Sequence, residues 1–254
     1  MQVVGYETRP GGDSEAAALL VASDGVVEQV PLDPGRTLSY GLDERHCAGT
    51  IEEGSHSPCS APEAPYCDRH TSKWACARCT GECSLPLPSC REEHAIYLAA
   101  FAPATFKVGV TRSWRLEQRL REQGADRAAH LRTVDDGRIA RQIEADIATE
   151  VGDRVRVPVK RRGLHESVED GAWESLLAEF DPLATYEFDY GLGLTERPVA
   201  ETIASGTVVG VQGRLLVLET DGSTYAVDMR DLVGYELDPD GRNQQLQASL
   251  GAFQ

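Results

Sequence analysis

The sequence predicts an α+β protein built from several small pieces, and three observations predict it. Short β-like runs closed by glycine turns occupy both ends, helical patterns occupy the middle, and all seven cysteines fall between Cys47 and Cys90. At 254 residues the chain is longer than one minimal domain requires.

At the N-terminus, QVVGYE, AAALLVAS and VVEQVPL read as strands, the last two joined by Asp24-Gly25, a strong hairpin signal. Residues 1–45 are therefore expected to form a small antiparallel β region. Residues 46–94 hold the cysteines among Pro, Ser and Gly. Beyond them HAIYLAAFAPATFKVGVTR gives two apolar segments broken by Pro103, expected as strands over 95–101 and 106–110. SWRLEQRLREQ carries Leu116 and Leu120 four apart, with Glu117 and Arg121 as a supporting pair, and predicts a short helix. GRIARQIEADIATEV predicts a second, with Ile139, Ile143 and Ile147 along one stripe and Ala140 and Val151 beside it. A third helix is expected over about 170–180, closing an α/β core at 95–182. ETIASGTVVGVQG, RLLVLE and STYAVDM return to strands, the latter two joined through Thr-Asp-Gly. This C-terminal β region, 196–240, is expected to pair with residues 1–45, through contacts between residues near 20–30 and 214–228, with the middle of the chain inserted. A polar tail, 241–254, follows.

Charge narrows the functional classes. There are 41 Asp and Glu against 25 Lys and Arg, a formal net charge of −16, and only three of the basic residues, Lys73, Lys107 and Lys160, are lysines. An acidic, lysine-poor surface suits a cytoplasmic protein of a high-salt organism, where it keeps the chain hydrated and self-repelling. No apolar run reaches the roughly 18 residues of a bilayer span, and MQVVGYETRPGG has no secretory pattern. A location in the cytoplasm and no membrane partner are expected. Lys107 to Arg162 departs from the overall charge, with 14 basic and 9 acidic residues, net +5. An anionic ligand is expected there.

The cysteines are spaced Cys47-x11-Cys59-x7-Cys67-x2-His70, then Cys76-x2-Cys79-x3-Cys83-x6-Cys90. In a reducing compartment such a cluster points to metal ligation rather than disulfides. Zinc takes four nitrogen or sulfur ligands in a closed structural site. Seven thiols and His70 suit two zinc ions, one with three thiolates and an imidazole, the other with four thiolates. One site with spare thiols, or His46 or His56 replacing a cysteine, is the other arrangement the spacing allows. A segment so poor in apolar residues cannot offset its own ordering entropy without metal.

Ala95-Ile96-Tyr97, Lys107-Val108-Gly109, Arg119 on the first helix and Glu144 on the second together resemble the core of the GIY-YIG nuclease superfamily. The run from Cys76 to Glu144, with HAIYL, KVGVTR, REQGAD and GRIARQIE, is similar to the family called domain of unknown function 2797, and GVQGRLLVLETDGSTYAV fits its C-terminal strand pair. The first resemblance implies a GIY-YIG-like α/β core in which Tyr97 takes a proton from the attacking water, Arg119 holds the scissile phosphate and Glu144 carries one Mg2+ or Mn2+. Ala95 stands where the superfamily has glycine and Lys107 where it has its second tyrosine; a lysine there would hold a phosphate. A phenol with a pKa near its usual value of about 10 needs a cation to act as a base at neutral pH, and Lys107 and Arg119 are the candidates. Arg112, Arg115 and Arg119, three and four apart, are expected on one helix face as a phosphate grip. Glu144 occupies a position where a plain amphipathic helix would be apolar, so it needs a cation partner.

Three functions compete. One is a divalent-metal-dependent phosphodiesterase acting on DNA or RNA. The second is binding of nucleic acid without cleavage, helped by the basic run VRVPVKRR at 155–162. The third is a noncatalytic protein-interaction or assembly module with structural zinc. Nucleic acid is the expected partner, with cleavage as an activity within that reading.

Overall fold

The computed structural model describes residues 1–8, 17–72, 79–83, 87–239 and 241. It comprises two compact units, Met1–Ser72 with Pro198–Gln254, and Lys73–Arg197. The boundary near Ser72 falls inside the cysteine-rich segment, so Cys47, Cys59 and Cys67 belong to one unit and Cys79, Cys83 and Cys90 to the other. Cys76 lies outside the described residues, as does the tail after Gly241.

The first unit begins with β1 (Gln2–Glu7), β2 (Ala18–Ser23), β3 (Val26–Pro31), β4 (Thr37–Arg45), β5 (Thr50–Glu52) and β6 (Ser55–Ser57). Ser23 pairs with Val26 across Asp24-Gly25, whose φ values of 51° and 81° give the left-handed two-residue turn that matches strand twist.

The second unit runs β7 (His94–Phe101), β8 (Thr105–Arg112), α1 (Leu116–Gln123), β9 (Arg127–Val134), α2 (Gly137–Ala148), α3 (Val157–Gly163), α4 (Asp170–Leu177) and β10 (Ala184–Glu187). Its four strands form one antiparallel sheet in the order β10-β9-β7-β8. Central β7 is buried at every position after His94, which is why it reads as an unbroken apolar run. Its alternate residues feed two cores. Ile96, Leu98 and Ala100 pack with Val108, Leu131, Ala140, Ile143, Ile147 and Trp173; Ala95, Tyr97, Ala99 and Phe101 pack with Leu116, Leu120 and Ala128. Helix α1 thus covers one face of the sheet, and α2 with α4 the other. Ile139 is not part of the expected stripe: it is 49% exposed, and Ala140 makes the close contact.

The chain returns to the first unit with β11 (Val199–Ala200), β12 (Ala204–Gln212), β13 (Leu215–Thr220), β14 (Ser223–Asp228), α5 (Met229–Leu232) and β15 (Tyr235–Asp238). Both ends of the chain share one eleven-stranded sheet, β11-β14-β13-β12-β4-β15-β1-β2-β3-β6-β5. Residues 20–30 and 214–228, expected to be in contact, meet in the core but do not pair as strands. Instead β4 pairs with β12, Tyr40 opposite Ala204, and β15 lies between β4 and β1. Leu19 and Val21 still share a core with Leu216, Leu218 and Val227. No helix among the described residues is long and apolar enough to cross a membrane.

Candidate metal centre and arginine-lined cavity

In the first unit, Cys47 lies two residues beyond the end of β4, and the loop after β6 brings Cys59, Cys67 and His70 to it. The four ligand atoms lie within 4.8 Å of one another, and the three cysteines are buried. His70 Nδ1 is 3.2 Å from Cys47 Sγ and 3.4 Å from Cys67 Sγ. The backbone N–H groups of Gly49 and Cys67 donate to Cys47 Sγ at 3.5 and 3.3 Å. Gly49 has φ 65°, and a Cβ there would overlap the Ser57 carbonyl oxygen, so only glycine fits this loop. The Cys67 carbonyl accepts from the backbone N–H groups of His70 and Thr71 at 2.9 and 2.8 Å, a tight turn that folds His70 back towards the Cys67 sulfur.

The electrostatics differ between the thiols: burial pushes the Cys47 thiol up. Burial pushes the Cys67 thiol up, but backbone donors at Arg69 and His70 and the neighbouring Cys47 and Cys59 outweigh it and hold its pKa at about 6. Arg69 Nη2 reaches Cys59 Sγ at 3.9 Å. Three thiolates on a 2+ ion leave one net negative charge, which that guanidinium offsets. Cys47, Cys59, Cys67 and His70 therefore could hold a metal ion such as zinc, with no position left open for chemistry. His46 and His56 serve the loops instead. His46 Nδ1 lies 2.9 Å from the Cys59 carbonyl, its Nε2 lies 3.0 Å from Glu236, and His56 Nε2 lies 2.9 Å from the Ala48 carbonyl.

Cys79, Cys83 and Cys90 lie in the other unit. Cys79 repeats a feature of Cys47: two residues on, a glycine of positive φ, Gly81 at 87°, donates its N–H to the sulfur at 3.4 Å. Gly81 packs on α2, where a Cβ would meet Gln142 Cγ at 2.8 Å.

On the same unit a cavity of about 410 Å³ is lined by five arginines: Arg112, Arg115, Arg119, Arg138 and Arg141. Cys79, Cys90 and His94 also line it, and no carboxylate does among the described residues. The three arginines anticipated from sequence do meet, though not on one helix face. Arg112 ends strand β8 opposite His94, Arg115 closes a single 3-10 turn, and Arg119 lies in α1. Sequence reasoning missed Arg138 and Arg141. Their signal was the three-residue step Arg138, Arg141, Glu144, one face of α2.

Carboxylates hold these guanidiniums from outside the lining. Glu122 accepts from Arg115 at 2.9 Å and from Arg119 at 3.1 Å; Glu144 accepts from Arg141 at 2.6 Å; Glu92 accepts from Arg112 at 3.3 Å. Each guanidinium has five donors, so one or two such bonds leave others for a ligand. Glu144 thus pairs with Arg141 rather than with Arg119. His94 Nδ1 lies 2.7 Å from the Glu92 carbonyl oxygen, to which it donates a hydrogen bond.

Tyr97, Lys107 and Glu144 are not among the residues that line the cavity. Tyr97 is buried; its hydroxyl accepts from Gln123 Nε2 at 2.7 Å, and Gln123 O in turn accepts from Lys160 Nζ at 2.7 Å. Burial raises the phenol pKa above its usual value, opposed by Arg119 and Gln123 beside it and reinforced by Glu144. Burial also lowers the Lys107 pKa to about 8, helped by Arg119 and Arg141 and opposed by Glu144 and Asp153. Tyr97, Lys107, Arg119 and Glu144 are thus electrostatic neighbours. The basic run 155–162 enters α3 at Val157, and Lys160 Nζ there also stands 4.1 Å from the centre of the Phe101 ring.

Fold and site together define an α+β protein with a cysteine–histidine set able to hold a metal. The family described as "Protein of unknown function (DUF2797)" matches residues 38–237, and the chain belongs to that family. No curated protein and no solved structure matches the chain.

Proposed function

We propose that the chain binds the phosphodiester backbone of nucleic acid in the arginine-lined cavity of the Lys73–Arg197 unit and carries structural zinc. The single observation that carries the proposal is five guanidiniums lining one cavity with no carboxylate among its described lining residues. Guanidinium presents a planar fork that matches two phosphate oxygens, and it remains charged at every physiological pH. Carboxylates holding four of the five forks from outside reduce the ordering cost of binding.

One zinc ion belongs to Cys47, Cys59, Cys67 and His70. A second belongs to Cys76, Cys79, Cys83 and Cys90, supported by the Gly81 N–H on Cys79 that parallels Gly49 on Cys47.

A second reading, phosphodiester cleavage in the manner of the GIY-YIG nucleases, is favoured by the grouping of Tyr97, Lys107, Arg119 and Glu144. In that reading Arg119 and Lys107 hold the phosphate and Tyr97 moves a proton, while Glu144 releases Arg141 to carry Mg2+ or Mn2+. A buried phenol of raised pKa stays protonated at neutral pH, leaving little phenolate to act as a base, so binding ranks above cleavage.

The test is fluorescence anisotropy with labelled DNA and RNA, single- and double-stranded, with and without Mg2+ or Mn2+, followed by gel analysis of the strands. Binding that weakens at least tenfold in the Arg119→Ala, Arg141→Ala double variant is expected. Equal affinity of wild type and double variant would refute the proposal. Cleavage that disappears in Glu144→Ala would establish the second reading.

A further inference from the structure

We propose that Trp114 is a stacking platform for an unpaired nucleobase, so that the cavity takes single-stranded rather than duplex nucleic acid; this rests on the phosphate-binding reading above. Trp114 sits in the 3-10 turn between β8 and α1 and is 69% exposed. Trp173, in contrast, is buried and packs against Phe106 with ring centres 5.7 Å apart.

The exposed indole is held in place. Its Nε1–H donates to Glu92 Oε2 at 3.3 Å, and the same carboxylate accepts from Arg112. The guanidinium carbons of Arg112 and Arg115 lie 4.8 and 5.8 Å from the centre of the indole ring. Both arginines line the cavity, so the aromatic surface adjoins two of its phosphate donors. A strand whose phosphate engages these arginines brings its next base within reach of the indole.

The chemistry selects among nucleic acids. In a duplex both faces of a base are covered by its neighbours, whereas an unpaired base offers a face to an aromatic side chain. Any base can stack, so no sequence preference is expected from this contact. A ring already fixed through its nitrogen loses little conformational freedom when a base docks. Stacking also resists salt, which weakens the phosphate contacts, and thus suits a chain whose net charge is −16.

The experiment uses the full chain as wild type, Trp114→Ala and Trp114→Phe. Three probes of about twelve nucleotides are titrated by anisotropy: a mixed-sequence strand, an abasic strand of equal length, and the duplex. Wild type is expected to bind the base-bearing strand about tenfold more tightly than the other two, the scale of one stacked base. Trp114→Ala should lose that margin, and Trp114→Phe should keep most of it. The strand should quench indole emission in wild type, and Trp114→Ala should lack that quenching. Equal binding of base-bearing and abasic strands by wild type, or an intact margin in Trp114→Ala, overturns the inference and leaves the phosphate reading standing. Failure of wild type to bind any of the three probes overturns both.

Discussion

The ring of Tyr97 lies across the ladder over Gly109. The two residues pair between β7 and β8, and a Cβ on Gly109 would stand 2.5 Å from both Cζ and Oη of the phenol. The glycine leaves space for the ring, and the ring hydroxyl is then fixed by Gln123 at the end of α1.

Gly109→Ala should therefore destabilise the second unit by about 1–3 kcal/mol, the usual cost of forcing atoms into a packed core. Chemical denaturation measures it. In the background of Tyr97→Ala, which removes the ring, the same substitution should cost much less; additive effects would show that the ring and the glycine are not coupled.

Metal removal should be felt in the first unit. Freshly purified protein is expected to contain one zinc equivalent from Cys47, Cys59, Cys67 and His70 and a second from the other cysteine set, read by elemental analysis. Chelation should lower stability by at least ~3 kcal/mol, the linkage for an ion present at about a hundred times its Kd. Cys59→Ser should remove one equivalent and leave the other.

Lys107 should link phosphate binding to protons. Its pKa of about 8 lies below the usual 10.5, so between those values the unfolded chain holds a proton that the folded chain has released. Folding stability from this residue therefore rises with pH through that window, and the penalty for its charge is fully present below pH 8. A phosphate held at Arg119 and Arg141 restores the proton, so binding at pH 8 should take up roughly half a proton per site. Calorimetry in buffers of different ionisation enthalpy reads that uptake, and Lys107→Arg should abolish it.

Much of the site was legible because its chemistry is written in residue types. Cysteines and a histidine at short spacing pointed to the metal set that the fold brings within 4.8 Å, and Arg112, Arg115 and Arg119 pointed to the cavity. What the sequence hid depends on partners distant in the chain. β9, RAAHLRTV, has arginines and a histidine among small alanines and no clear alternation, yet it is a strand because Ala128 and Ala129 fit beside β7. β4, TLSYGLDER, looks like a polar connection, and becomes a strand by pairing with β12 and β15. Likewise VPVKRRG reads as a charged grip, but Pro158 at its first turn suits a helix start, and Lys160 is occupied by Phe101 and Gln123. Arg138 and Arg141 are hidden because the apolar stripe of α2 dominates its pattern, while the two arginines share the face beside Glu144.

The most direct test of the phosphate reading is the salt dependence of binding to a single strand. Each neutralised phosphate contributes about −0.7 to the slope of log K against log salt. Engagement of three or four of the five arginines predicts a slope of roughly −2 to −3, reduced by about 0.7 in Arg119→Ala. A slope near zero, or one unchanged by that substitution, would contradict it.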